Sequence, residues 1–93
     1  MSLKLKGQLK EYETDIRNWY EDLNEEVESK ESVLSEIELV WYSRYGIADE
    51  AVAEIDKKYL PAIYQKLKNV YPDMAEYFKA KMVAAGVSPS IFS

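Results

Sequence analysis

The 93-residue chain contains no cysteine and no histidine. The first absence rules out disulfides and thiolate chemistry, and with them the small cross-linked secreted scaffold. The second removes the usual general base near neutral pH and the commonest transition-metal ligand. Neither a serine–histidine triad nor a histidine-bearing di-iron bundle can then be assembled. Glycine and proline are sparse, three of each, and Gly7, Gly46 and Gly86 lie too far apart to form a phosphate-binding loop. No apolar run approaches the roughly 18 residues that mark a membrane-spanning helix. The opening Met1-Ser2-Leu3-Lys4-Leu5-Lys6 carries charge with no apolar stretch behind it, so no signal peptide is expected. A cytoplasmic protein is the expectation.

What is present is the make-up of a folded chain. Hydrophobic residues are 47% and charged residues 31%, too apolar a balance for a disordered segment. The length predicts a single helical domain over 1–93. Its core should be thin, since a chain this short buries only about 60% of its unfolded surface. The net charge of −5 is unevenly spread. Residues 11–56 hold fifteen acids against Arg17, Lys30 and Arg44, a net of −12. The stretch before carries Lys4, Lys6 and Lys10, and the stretch from Lys57 onward carries six lysines against Asp73 and Glu76. Such asymmetry suits packing of acidic against basic helices within the chain, a head-to-tail or antiparallel dimer, or a charged docking face.

The apolar pattern is helical throughout. Leu5, Leu9, Tyr12, Ile16, Trp19, Leu23 and Val27 recur at steps of three and four, a single stripe with acids on the opposite side. No glycine or proline interrupts residues 8 to 45, yet one helix of that span would be about 60 Å long. A compact domain of this size is only about 30–35 Å across. A break at Ser29-Lys30-Glu31-Ser32 is therefore expected, with a serine capping the second helix. Val33, Ile37, Val40, Trp41 and Tyr45 should line that helix, and Gly46 should end it as a left-handed cap. Asp49 suits the N-cap of a third helix carrying Val52, Ile55, Tyr59, Ile63, Leu67 and Val70. Pro61 inside that stripe predicts one kinked helix or two meeting at Leu60-Pro61. Pro72 opens the fourth helix, Met74, Phe78 and Met82 face inward, and Gly86 ends it. Residues 87–93 read as a short tail, too short for another helix. The expected architecture is an all-α antiparallel four-helix bundle, with helices at about 3–28, 32–45, 49–70 (kinked at Pro61) and 73–85.

Two local patterns resemble known motifs. Glu25-x-x-Glu28 and Glu28-x-x-Glu31 are similar to half of the magnesium site of the helical nucleotide pyrophosphohydrolases. The other half, Glu-x-x-Asp, does not follow, and Glu54-Ile55-Asp56 has the wrong spacing to put both acids on one helix face. Ala84-Ala85-Gly86-Val87-Ser88-Pro89-Ser90-Ile91 resembles the turn of a helix-turn-helix. No lysine or arginine follows Lys81 to reach phosphates, and the acidic total opposes direct nucleic-acid binding.

The aromatics carry the most information. There are eight Tyr and two Trp against two Phe. Tyr and Trp keep a polar tip, which suits them to boundaries and interfaces. The expectation is a non-enzymatic protein–protein interaction module with no cofactor, catalytic residue or metal. It would self-associate through the N-terminal amphipathic helix and boundary aromatics, with Trp19, Tyr20, Trp41 and Tyr42 as interface residues. The alternatives are a small acidic accessory protein that binds a basic partner and, below it, a magnesium-dependent hydrolase.

Overall fold

A computed structural model describes residues 3–26, 28–48 and 50–93, with side chains described from Gly7 onward. Four α-helices account for most of it: α1, Leu3–Glu25; α2, Lys30–Arg44; α3, Ala51–Val70; and α4, Pro72–Ala84. The all-α four-helix bundle follows from the stripes read above, with small changes at the ends. The long N-terminal helix breaks where Ser29 turns extended and its Oγ accepts the N–H of Ser32 at 3.2 Å. That cap starts α2 at Lys30, two residues before the expected Ser32, and α1 stops at Glu25 instead of 28. Val27, the expected last rung of the α1 stripe, Asp49, the expected cap of α3, and the Leu5 side chain lie outside the described residues.

α3 runs uninterrupted through Pro61. Leu60 and Ile63 are both fully buried, so burial on either side of the proline keeps the two halves one helix. Gly46 takes φ +80° just past α2, the left-handed cap that its position predicts. Gly86, at φ +113°, closes α4. The Val87 N–H donates to the Met82 carbonyl at 3.0 Å and the Gly86 N–H donates to Val83 at 3.1 Å. This is the paired bonding of a Schellman ending, with Val87 and Met82 buried together. The stretch resembling a helix-turn-helix is thus a helix cap. Beyond it, Pro89–Phe92 forms a 3-10 turn where no helix was expected. That turn folds Phe92 back edge-on to Tyr64 and Phe78, with ring centroids 5.4 Å and 6.1 Å away.

Consecutive helices alternate in direction and form two hairpins, α1–α2 and α3–α4. Asp15 meets Ser43 across the first, and Tyr64 meets Glu76 across the second. The hairpins lie side by side in the same sense. Tyr12, Tyr20 and Asn24 of α1 meet Asp56, Tyr59 and Lys66 of α3, so these helices run parallel. Lys30 and Glu38 of α2 meet Asp73 and Tyr77 of α4, which run parallel too. Among the described residues α2 packs its backbone against α1 and α4 but not α3. The diagonals are crossed by side chains alone, Trp19 to Phe78 and Arg44 to Asp56. No helix among the described residues is long and apolar enough to cross a membrane.

Candidate interaction surface

The α1 stripe does not offer a seam to a second copy. Tyr12, Ile16, Trp19 and Leu23 are all buried, because the break at Ser29 folds α2 back along α1 and the second hairpin covers the remainder. Trp19 is 1% exposed and packs edge-on against Phe78 at 5.5 Å. Its expected place among the interface residues is therefore corrected: it belongs to the core of the chain's own fold. Tyr20 is half-buried, with its ring edge-on to Tyr59 at 5.6 Å.

Among the described residues, four of the six exposed large apolar side chains lie one helix further on, the other two being Val70 and Val83. Val33, Ile37, Val40 and Arg44 form the inner side of α2. The outer side carries Leu34 (42% exposed), Leu39 (49%), Tyr42 (78%) and Tyr45 (61%), with half-buried Trp41 at its edge. Leu39, Tyr42 and Tyr45 follow one another at steps of three, and Leu34, Trp41 and Tyr45 at steps of seven and four, so both rows run along one flank. Tyr45, expected on the inner side, points outward because Arg44 takes the inward position in phase with Val33, Ile37 and Val40. Of the four predicted interface residues, the structure brings Trp41 and Tyr42 to one surface, joins Leu34, Leu39 and Tyr45 to them, and places Trp19 and Tyr20 elsewhere.

The margin of this face is a polar and aromatic cluster at the α2–α4 seam. The Tyr77 hydroxyl donates a short hydrogen bond to Glu38 Oε1, and Lys81 Nζ lies 3.2 Å from Glu38 Oε2. The same ammonium stands 3.9 Å from the centroid of the Trp41 ring and 5.9 Å from that of Tyr77. Trp41 is itself 5.5 Å from Tyr45. The Tyr77 hydrogen bond and then the Lys81 ammonium hold the Glu38 carboxyl below its ordinary value, and the carboxylate raises the Tyr77 hydroxyl in turn.

A buried polar group was missed in the sequence. Arg44 and Asp56 are 3% and 4% exposed. The guanidinium grips the carboxylate through Nε (3.2 Å to Oδ1) and Nη2 (3.1 Å to Oδ2), and its Nη1 donates to the Ile47 carbonyl at 3.1 Å. The Tyr12 hydroxyl donates to Asp56 Oδ1 at 2.6 Å, and burial, followed by the nearby Asp56 charge, raises the Tyr12 hydroxyl far above its ordinary value. One cluster thus ties α1, α2 and α3 together. A signal for it existed: Arg44 continues the Val33-Ile37-Val40 row, and Asp56 falls between Ile55 and Tyr59, so two opposite charges sit in phase with apolar stripes.

The acids of the first hairpin gather at its tip. Asp22, Glu25, Glu26, Glu28 and Glu36 line an open cleft of about 560 Å³ with Ser29 and Ser32. Burial raises the Glu36 carboxyl above its ordinary value, and Glu28, Asp22 and Asp15 add to the effect. Glu25 ends α1 and Glu28 lies in the turn, so the Glu-x-x-Glu spacing is not carried on one helix here. Among the described residues no group of three or more acids is placed to hold a metal ion. Comparison of the chain with protein-family models, with curated proteins and with solved structures finds no match in any of the three.

Proposed function

We propose that this chain is a non-enzymatic protein-interaction module that receives a basic, apolar-anchored segment of a partner protein on the outer face of α2. The observation that carries this reading is the exposure of Leu34, Leu39, Tyr42 and Tyr45 on a helix whose opposite side is sealed in the core. Large exposed aromatics cost solvation without helping the monomer, and tyrosine is among the residues that dominate binding energy at interfaces. Charge selects the class of partner. The face lies on the first hairpin, whose residues 3–44 hold eleven acids against six basic residues, with Arg44 already spent on Asp56. Two copies joined by this face would bring acidic hairpins together, whereas a lysine-bearing segment meets complementary charge. This reading takes a different, basic chain in place of a second copy as the occupant of the face, and so joins the expected interaction module to the expected basic partner.

The test is the affinity of an amphipathic helical peptide of leucine and lysine for the wild type and for the Tyr42→Ser/Tyr45→Ser variant, read by fluorescence anisotropy. Loss of two anchors should weaken binding about tenfold or more, with unchanged circular dichroism. Equal affinity for both proteins would move the binding site elsewhere, to the acidic cleft first. A wild-type dimer that the same variant dissolves would assign the face to a second copy instead.

A further inference from the structure

We propose that Trp41, Tyr77 and Glu38 form a receptor for a single alkylammonium group, the side chain of a partner lysine, and that Lys81 fills this receptor in the free protein. The proposal rests on the docking reading above for the source of that lysine, but its geometry is independent of it. An indole face, a phenol ring and a carboxylate converging on one point is the composition that recognises an ammonium, through the ring quadrupoles on one side and an ion pair on the other. All three surround Lys81 Nζ: Trp41 at 3.9 Å, Tyr77 at 5.9 Å and Glu38 Oε2 at 3.2 Å. The other cation–ring contacts among the described residues stand at 5.3 to 5.9 Å, so the Lys81–Trp41 contact is set apart by its closeness. Part of the receptor is held by contacts that do not involve Lys81. The Tyr77 hydroxyl is bonded to the second oxygen of Glu38, which fixes ring and carboxylate from α4 and α2 respectively. Trp41 is braced by Tyr45 at 5.5 Å, on the exposed face itself.

Lys81 reaches this point on a flexible stem from α4, and such a side chain can leave without disturbing Met82 beside it in the core. A partner lysine entering along the α2 face would take its place. Lys81 therefore acts as an internal competitor: affinity for an incoming ammonium is reduced by the fraction of time the receptor is already filled. If Lys81 is seated about nine-tenths of the time, its removal raises affinity about tenfold.

Methylammonium chloride is the probe, titrated against sodium chloride at matched ionic strength and followed by the backbone amide shifts of Glu38 and Tyr77 in isotope-labelled protein. Lys81→Ala and Lys81→Gln should each show saturable binding about tenfold tighter than the wild type. The gain should vanish when Trp41→Leu is added to either, since leucine keeps bulk but has no ring face for a cation. Far-UV circular dichroism establishes that each variant is folded, and the glutamine variant keeps the side-chain length should alanine loosen the α2–α4 seam. If neither Lys81 variant gains affinity, or if the gain survives Trp41→Leu, the receptor assignment is overturned. The small cation reports on the receptor alone, and the leucine–lysine peptide reports on the wider face. Peptide binding that depends on Tyr42 and Tyr45 without any response to methylammonium would thus retain the docking face and remove the receptor; the reverse pattern would do the opposite.

Discussion

Removing the Trp19 side chain empties a site walled by Phe78 at the centre of the core, and surrounding helices held by other contacts cannot collapse fully into the space. Trp19→Ala is expected to cost about 3–5 kcal/mol, whereas Tyr42→Ala, at a position 78% exposed, should stay within about 0.5 kcal/mol of the wild type. Urea midpoints at a common slope measure both; comparable losses at the two positions would mean that Tyr42 is packed and the α2 face is closed. The Arg44–Asp56 pair calls for a different design, because a lone buried charge is worse than none. Arg44→Met or Asp56→Ala alone should cost about 3–5 kcal/mol, and the double change to apolar residues should recover most of that loss. Single variants as stable as the wild type would show that the pair is open to water. At this scale the sequence was legible where hydrophobicity alone decides, as at Ile16, Ile37 and Ile63. It misled at Trp19 because spacing identifies the apolar side of a helix but not whether the chain has enough of itself to cover that side. At Arg44 and Asp56 the signal, two opposite charges in phase with apolar stripes, is easily passed over because each charge reads as exposed until its partner, twelve residues away, is known to face it.

Between elements, the α2–α4 seam is fastened by Glu38 to Tyr77 and Lys81, and by Asp73 to Lys30. Both carboxyls titrate below their ordinary values of 4.5 and 3.8, so their contribution is complete above those values and is lost as pH falls through the lowered ones. Glu36 has the opposite sign. Its raised carboxyl is a charge held against burial and three acids, and that penalty lifts as pH falls through a value above 4.5. Stability should therefore rise slightly on mild acidification and drop once the pH is well below 4.5. Glu36→Gln should be more stable than the wild type at neutral pH and should lack the initial rise. Urea midpoints measured against pH for the two proteins check this, and a destabilised Glu36→Gln would contradict it. Helix ends divide along similar lines. Gly46, Gly86 and Pro72 signalled their caps directly, since few residues other than glycine tolerate φ of +80° or +113°. Pro61 did not reveal whether α3 kinks or breaks, because burial of Leu60 and Ile63 by other helices decides it. The 3-10 turn at Pro89–Phe92 was hidden for the same reason: four residues have little preference of their own, and Phe92 is held by Tyr64 and Phe78.

Over the whole molecule, two helical hairpins of unlike charge lie side by side within 39 × 24 × 18 Å. Pairing α1 with α3 and α2 with α4 buries the inner apolar stripe of every helix and leaves the outward side of α2 uncovered. The bundle was readable from apolar steps of three and four; the pairing was not, since the same stripes permit α2 to lie beside α3. Whether the uncovered side binds is the claim on which the functional account stands. Backbone amide shifts of isotope-labelled protein titrated with the leucine–lysine peptide test it most directly. The account predicts saturable shifts concentrated on residues 34–45 and at Lys81, with the tip of the first hairpin and α3 little changed. Shifts confined to the acidic cleft of Asp22, Glu25 and Glu36, or none along α2 at saturating peptide, would contradict it.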